Sequence, residues 1–191
     1  MKTRLRSGKL LERLNHHPEE KKHKDTGIIK KLSRLGEFRK AGTIMFYLPI
    51  HGEVDLRALF GKFRLNKKFI LPKIKDEKNL HLYHIDNLED TAPGKFKIPE
   101  PKLHLQRAAA SEIDLVLVPG IAFAKSGHRI GYGKGFYDRL MKKIKGPKIG
   151  IAYDFQMVEN IPAEKHDTPM DIIVTEKRIL RIGKKKQSIL N

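Results

Sequence analysis

Twelve consecutive positions, Gly127-His128-Arg129-Ile130-Gly131-Tyr132-Gly133-Lys134-Gly135-Phe136-Tyr137-Asp138, combine glycines, two cations, aromatic and imidazole rings and a carboxylate. Glycines lack the Cβ that would keep an anion away from backbone N–H groups, while Arg129, Lys134 and the start of a following helix supply positive potential. Phosphate is the expected ligand. The spacing is not that of a Walker A loop, because Gly127 stands one residue too far from Gly133-Lys134 and Gly135 occupies the place of Ser or Thr. Nor is it a dinucleotide fingerprint, because Phe136 replaces the third glycine. Asp138 suits a magnesium ion that shares its shell with phosphate oxygens, and it would equally serve as a helix-capping acid. Against the phosphate reading stands a bland one, a glycine turn whose Arg129 and Lys134 are simply solvated.

Such a loop needs a strand before it and a helix after it. Asp114-Leu-Val-Leu-Val118 is a continuous apolar run, the pattern of a strand buried on both faces, and Phe136 to Ile144 follows as a helix. Thr43 to Leu48 reads as another buried strand, bounded by Gly42 and Pro49. Val54 to Phe63 then reads as a helix and Lys68 to Pro72 as the next strand, which together make a βαβ unit. Further strands are expected at 80–85, 148–152, 171–175 and 178–182, with loop over 90–101 and irregular chain over 153–170. Ahead of the first strand, Leu5, Leu10, Leu11 and Leu14 recur at near-helical intervals. Pro18 and the charged run to Lys24 are expected to interrupt that helix before a second one over 28–41. These elements predict a three-layer α/β/α domain with a mostly parallel sheet, preceded by an N-terminal helical segment. The domain is expected to be single over 1–191, with helices in 1–41, the α/β body in 42–183 and a basic tail at 184–191. In sheets of this kind ligands bind beyond the carboxyl ends of the strands, which points at the loop after Val118.

Composition narrows the classes. The 191 residues contain no cysteine, which excludes disulfides, thiolate metal sites and Cys nucleophiles together. No apolar run approaches the roughly 18 residues of a membrane span, and the start lacks a signal peptide's apolar core. The expectation is a cytoplasmic protein with no membrane partner. The formal charge of +18 is concentrated at the ends: residues 1–40 carry +8 and residues 177–191 carry +6, which leaves +4 for the 136 residues between. Basic ends on a nearly balanced body suit an anionic ligand at least as well as a duplex.

These motifs, taken together and in order, resemble the 5-formyltetrahydrofolate cyclo-ligase family, also called methenyltetrahydrofolate synthetases. The most specific stretch is Asp114-Leu-Val-Leu-Val-Pro-Gly-Ile-Ala-Phe123 followed by Gly127 to Asp138-Arg139. Supporting matches are Lys2-Thr-Arg-Leu-Arg6, Tyr47-Leu48-Pro49 leading to Glu53-Val-Asp55, Ile98-Pro-Glu-Pro101, and His166-Asp167 ahead of Asp171-Ile-Ile-Val-Thr175. The resemblance implies ATP- and Mg²⁺-dependent closure of 5-formyltetrahydrofolate to 5,10-methenyltetrahydrofolate, with ADP and phosphate released. A phosphorylated formyl oxygen would be the activated intermediate.

By the same resemblance Lys2, Thr3, Arg4, Leu5 and Arg6 match an ATP-contacting segment. Arg129, Ile130, Gly131, Tyr132, Gly133, Lys134, Gly135, Phe136 and Tyr137 match the loop around its phosphates, with Arg129 and Lys134 as the catalytic cations. Leu48, Glu53 and the Tyr132–Phe136 stretch match folate-contacting positions, and Asp138 and Asp167 the metal positions. Asp171 is a weaker metal candidate, and His166 fits a hydrogen-bonding neighbour better than a base. The chain departs from the family at Ala124, where an acid usually follows the Ala-Phe pair, and at Phe136, where tyrosine is commoner. The resemblance implies a monomer with no nucleic-acid partner. Two other readings remain: a basic nucleic-acid-binding protein, and another phosphoryl-transfer enzyme on the same scaffold.

Overall fold

In a computed structural model of the chain, the described residues are 2–94 and 99–183. Ile98 of the Ile98-Pro-Glu-Pro101 motif and the basic tail at 184–191 lie outside them. Three helices come first: α1 (Lys2–Leu14), α2 (Pro18–Arg34) and α3 (Gly36–Lys40). Pro18 begins α2 instead of interrupting a helix. The first helical position has no partner for an N–H, so proline costs nothing there, and Glu19 and Glu20 in the first turn complement the helix dipole. The charged run that follows is therefore helical, laced by the Lys24–Glu20 pair at 2.6 Å and the Lys21–Asp25 pair at 2.7 Å.

The sheet has seven strands in the order β12-β11-β9-β6-β1-β2-β3: β1 (Thr43–Met45), β2 (Lys68–Ile74), β3 (Leu80–Ile85), β6 (Leu115–Val118), β9 (Lys148–Ile151), β11 (Ile172–Val174) and β12 (Ile179–Arg181). Its five central strands pair in parallel, and the antiparallel pairs β2·β3 and β11·β12 close its edges. Side chains alternate between the faces. Ile44, Phe46, Leu115 and Leu117 pack with Ile28, Leu32 and Phe38 and with Leu59 of α4 (Arg57–Phe63). Met45, Val116 and Val118 on the other face pack with Leu140 and Met141 of α5 (Phe136–Met141) and with Ile144. That is the expected three-layer α/β/α arrangement. Truncating one of these fully buried rings, such as Phe46 to alanine, would cost about 3–5 kcal/mol.

Several elements differ from expectation, each for a local reason. β1 ends at Met45 instead of Leu48. Phe46 N–H still reaches the Ile70 carbonyl at 3.0 Å, but Tyr47 and Leu48 run past the end of the ladder, and Pro49 has no N–H to continue it. α5 stops at Met141, after which Lys143 and Ile144 donate to carbonyls three residues back and the chain tightens into turns. The stretch after Val118, expected as loop, contains a hairpin of β7 (Ala122–Ala124) and β8 (Arg129–Ile130). β10 (Met157–Val158) joins this hairpin in a second, three-stranded sheet. In the segment expected as loop over 90–101, β4 (Thr91–Pro93) pairs with β5 (Pro99–Pro101). Leu5 of α1 packs on the small sheet against the cluster of Ala122, Ala124, Ile130 and Ile161, which fixes that helix against the strand leading into the glycine loop.

Candidate active site

From β1 the sheet runs outward to β2 on one side, and the chain then returns to β6 on the other side of β1. The carboxyl ends of β1 and β6 therefore flank a topological switch point, where crossovers diverge and leave a crevice. A cleft of about 660 Å³ opens there. Tyr47 and Leu48 enter it from β1, Pro119 from β6 and the glycine loop from above, a size that suits a ligand of nucleotide or folate dimensions.

The loop between β8 and α5 is shaped by its glycines. Gly133 and Gly135 adopt φ of 92° and 63°, the left-handed region that residues with a Cβ avoid, and Gly135 caps α5 in that conformation. Arg6 of α1 reaches across and donates from Nε to the Gly131 carbonyl at 3.0 Å. Lys134 is exposed and forms no ion pair among the described residues. Arg129, whose side chain is 6% exposed, pairs with Asp138 at 3.0 Å. One cation is thus free to meet a ligand, and the other is anchored.

Glu53 is almost completely buried. Its turn is closed by Glu53 N–H on the Ile50 carbonyl at 3.0 Å and by Ile50 N–H on Glu53 Oε2 at 3.1 Å. Burial pushes the Glu53 carboxyl up to about 7, against the opposing pull of Arg13, the Ile50 N–H and the Tyr132 hydroxyl. That hydroxyl donates to Glu53 Oε1 at 3.3 Å. Tyr47 and Glu100 also line the cleft, and each presents a buried oxygen with no partner among the described residues, the Tyr47 hydroxyl and Glu100 Oε1. Unsatisfied buried oxygens at a cleft wall need a ligand or solvent to complete them.

At the opposite rim, ligand atoms of Glu164, His166 and Asp167 lie within 4.8 Å of one another. Lys2 Nζ sits among them, 2.7 Å from Glu164 Oε1 and 3.5 Å from Asp167 Oδ2. The hydrogen bond to Glu164 holds the Lys2 ammonium above its ordinary range. Burial works against the Asp167 charge, but the Glu164 N–H, Lys2 and His166 outweigh it and hold the carboxyl below the usual range. Hard oxygen donors gathered around a positive charge fit a small divalent cation.

Of the residues singled out in the sequence, Lys2, Arg6, Leu48, Glu53, every position from Arg129 to Asp138, and Asp167 all line this one cleft. Thr3, Arg4 and Leu5 do not. A helix presents only every third or fourth residue to one side, so Lys2 and Arg6 face the cleft while Thr3 and Arg4 are exposed and Leu5 packs inward. Asp138 is not part of the Glu164–His166–Asp167 cluster. Its carboxylate faces Arg129 and is joined to the cluster's segment through Thr168, whose N–H donates to Asp138 Oδ1 at 3.1 Å. Asp171 accepts from the Lys148 N–H at 2.7 Å and belongs to the amino end of the strands β9 and β11. Ala124 is fully buried in the small apolar cluster and does not line the cleft, so the acid missing there is not missing from the cleft wall. Sequence reading passed over Arg13, Tyr47, Glu100 and Glu164. Tyr47 and Glu100, each inside a quoted motif, carried a signal; Arg13 and Glu164 carried none.

The same assignment follows from comparison with known proteins. Residues 1–176 match the model of the 5-formyltetrahydrofolate cyclo-ligase family. The chain is 36% identical to the 5-formyltetrahydrofolate cyclo-ligase of Haemophilus influenzae, over 73% of this chain and 79% of that one. It is 34% identical to that of Mycoplasma genitalium, over 91% and 96%. Among solved structures, the 5,10-methenyltetrahydrofolate synthetase of Aquifex aeolicus superposes with a TM-score of 0.88 at 39% identity, covering 97% of this chain and 95% of that one. The Mycoplasma pneumoniae synthetase gives 0.75 at 29% identity, with 92% and 98% covered. With its glycine loop, its buried carboxylate and its rim of acids in one cleft, and with these matches running almost end to end, the chain belongs to the 5-formyltetrahydrofolate cyclo-ligase family.

Proposed function

We propose that this chain closes 5-formyltetrahydrofolate to 5,10-methenyltetrahydrofolate at the expense of ATP, in the cleft beyond β1 and β6. The observation that carries the reading is the convergence there of a free cation on a glycine loop, a buried carboxylate and a rim bearing Glu164, His166 and Asp167. The formyl oxygen is a poor leaving group. Attack by that oxygen on the γ-phosphorus expels ADP and leaves an iminium phosphate. N10 then adds to the formyl carbon, and loss of the N10 proton and of phosphate gives the methenyl product. The protein has no bond of its own to make, so its contribution is positioning and charge neutralisation.

The residues divide that work. Glycine-loop N–H groups and Lys134 meet the phosphates, and Arg6, tied to Gly131, holds the loop against α1. Asp167, with Glu164 and His166 beside it and Asp138 behind, would hold a magnesium ion, which supplies charge neutralisation on the phosphate oxygens. With a cation held by these acids, the Lys2 ammonium would be free to pair with phosphate. Glu53, when ionised, accepts from adjacent pterin N–H donors, with Leu48, Tyr132 and Phe136 offering flat apolar surface beside it. Lys2 and Arg6, the basic residues of α1 that line the cleft, are committed to it, which favours a nucleotide over a nucleic acid as their ligand. Among the described residues no helix is long and apolar enough to cross a membrane.

The test is the growth of the methenyl product's near-ultraviolet absorbance with 5-formyltetrahydrofolate, ATP and Mg²⁺ each present or withheld. A rise that needs all three, with one ADP per product, is expected. A flat trace from folded protein that binds ATP would move the reading to another phosphoryl acceptor.

A further inference from the structure

Arg13 is the largest fully buried side chain of the described residues, at 1% exposure, and it comes from α1, the helix that carries Lys2 and Arg6. A buried guanidinium is costly unless its donors are satisfied. Here they are spent on segments far apart in sequence. Nε donates to the His51 carbonyl at 2.8 Å, Nη1 to the Gly120 carbonyl at 3.0 Å and Nη2 to the Tyr132 hydroxyl at 2.6 Å, while Nη1 stands 3.8 Å from Glu53 Oε1. One side chain thus joins the turn bearing Glu53, the end of the β6 strand and the glycine loop.

The turn it grips has an unusual backbone. His51 and Gly52 both have positive φ, 47° and 75°, and a Cβ on Gly52 would lie 2.9 Å from the Arg13 carbonyl oxygen. Positive φ at a histidine is uncommon and needs support, which the bond from Arg13 Nε to the His51 carbonyl provides. Arg13 does not line the cleft, so it acts through other groups.

We propose that Arg13 is a positioning residue that couples the nucleotide helix to the folate carboxylate, fixing the direction of Glu53 and of the Tyr132 hydroxyl through a buried Arg13–Tyr132–Glu53 chain. The inference rests on the folate reading of the cleft. The guanidinium does two separable things. It aims Glu53, and its charge favours the ionised carboxylate that N–H donors of the pterin require. The other groups facing Glu53 are the Ile50 N–H and the hydroxyls of Tyr47, Tyr132 and Tyr137, so Arg13 is the cation that opposes its burial.

Two measurements on the same proteins test this: a carbon-13 titration of the Glu53 carboxyl in the free protein, with E53Q identifying its signal, and calorimetric binding of 5-formyltetrahydrofolate without ATP across pH. In wild type the Glu53 titration should fall near about 7, with folate affinity rising through the same range. R13M should move both upward together and weaken folate binding at neutral pH by about ten- to hundredfold, the usual cost of losing charge-assisted hydrogen bonds. R13K keeps the charge but lacks the fork that reaches all three acceptors, so it should restore part of the titration and less of the affinity. If R13M does not fold, R13K decides alone: an affinity loss with an upward Glu53 titration supports the role. A wild-type titration in the folded Arg13 variants, or weakening without any movement of Glu53, would leave Arg13 as mere packing and overturn the proposal. Wild type that fails to bind 5-formyltetrahydrofolate overturns the functional reading, and the positioning role with it. Normal wild-type binding beside an unmoved Glu53 overturns the Arg13 inference alone.

Discussion

Arg129 Nη1 lies 3.0 Å from Asp138 Oδ1, and Thr168 holds both partners, donating its N–H to the same oxygen and accepting from Arg129 on its carbonyl. The pair ties the start of α5 to the segment that follows Asp167, so it is structural as well as electrostatic. The side chain of Lys134, two residues from α5 and exposed, has no such ties among the described residues.

This separates two substitutions that the sequence alone would treat alike. D138A leaves the Arg129 guanidinium largely buried beside an empty place and should cost about 2–4 kcal/mol of stability. K134A should stay within about 0.5 kcal/mol of wild type, as surface changes do. Turnover should fall in both, by about a hundredfold for K134A if its ammonium meets charge that develops on phosphate. Melting curves and initial rates on the two variants check this. K134A with unaltered turnover would contradict the role given to it.

The protonation of Glu53 should be visible in stability without any ligand. Its carboxyl titrates near about 7 in the folded chain and near 4.5 when unfolded, so between those values the native state holds the extra proton. Stability from this group is then present below about 4.5 and falls as pH rises to about 7, by roughly 3 kcal/mol at most. E53Q cannot release that proton. Denaturant unfolding should show the variant gaining on wild type between pH 5 and pH 8. A difference independent of pH would mean that Glu53 is not raised.

Lys2 pairs with Glu164 and Asp167 at a partly exposed rim, where ion pairs contribute about 1 kcal/mol or less. K2M should therefore melt close to wild type. Its Michaelis constant for ATP should rise, because the ammonium is lost from the phosphates. D167N should raise the Mg²⁺ concentration needed for half-maximal rate, and a chelator should stop wild-type turnover. Manganese binding, followed by its electron spin signal, supplies a readout apart from activity and should weaken in D167N. Unchanged manganese affinity there would place the cation elsewhere.

The fold was readable wherever the period was strong. β6 is buried on both faces and reads as a continuous apolar run, and β3 alternates in sequence although Leu82 and Tyr83 are both buried. What escaped depends on contacts that no local pattern encodes. Pro18 breaks a helix in one register and starts one in another, and only the geometry of His17 decides which. β8 is two residues long and is a strand because β7 lies beside it. The site shows the same division. The glycine loop announces itself in adjacent residues, whereas Arg13 looks like any basic residue on an amphipathic helix until His51, Gly120 and Tyr132 are brought around it. Resemblance located Glu53 and Asp167, but the placing of Thr3, Arg4 and Leu5 away from the cleft follows from helix geometry alone.

Tyr47 gives the sharpest contrast between stability and binding. Its hydroxyl is buried, has no partner among the described residues and lies at the cleft wall. Burial holds the phenol well above its ordinary range, so it remains a neutral donor at any working pH. A buried hydroxyl that makes no hydrogen bond is a net cost to the free protein, of about 1–3 kcal/mol if no water reaches it. Y47F removes that cost and nothing else, so the free variant should be as stable as wild type or more so. If the hydroxyl is kept to meet the folate, the same change should weaken 5-formyltetrahydrofolate binding by about five- to tenfold, leaving nucleotide affinity alone. E100Q, which alters the other unpartnered oxygen on this wall while keeping its shape, should likewise act on folate and not on nucleotide. Calorimetric binding of each ligand and a melting curve decide it. Y47F less stable than wild type would show that the hydroxyl already has a partner in the free protein, and unchanged folate affinity would show that the ligand does not use it.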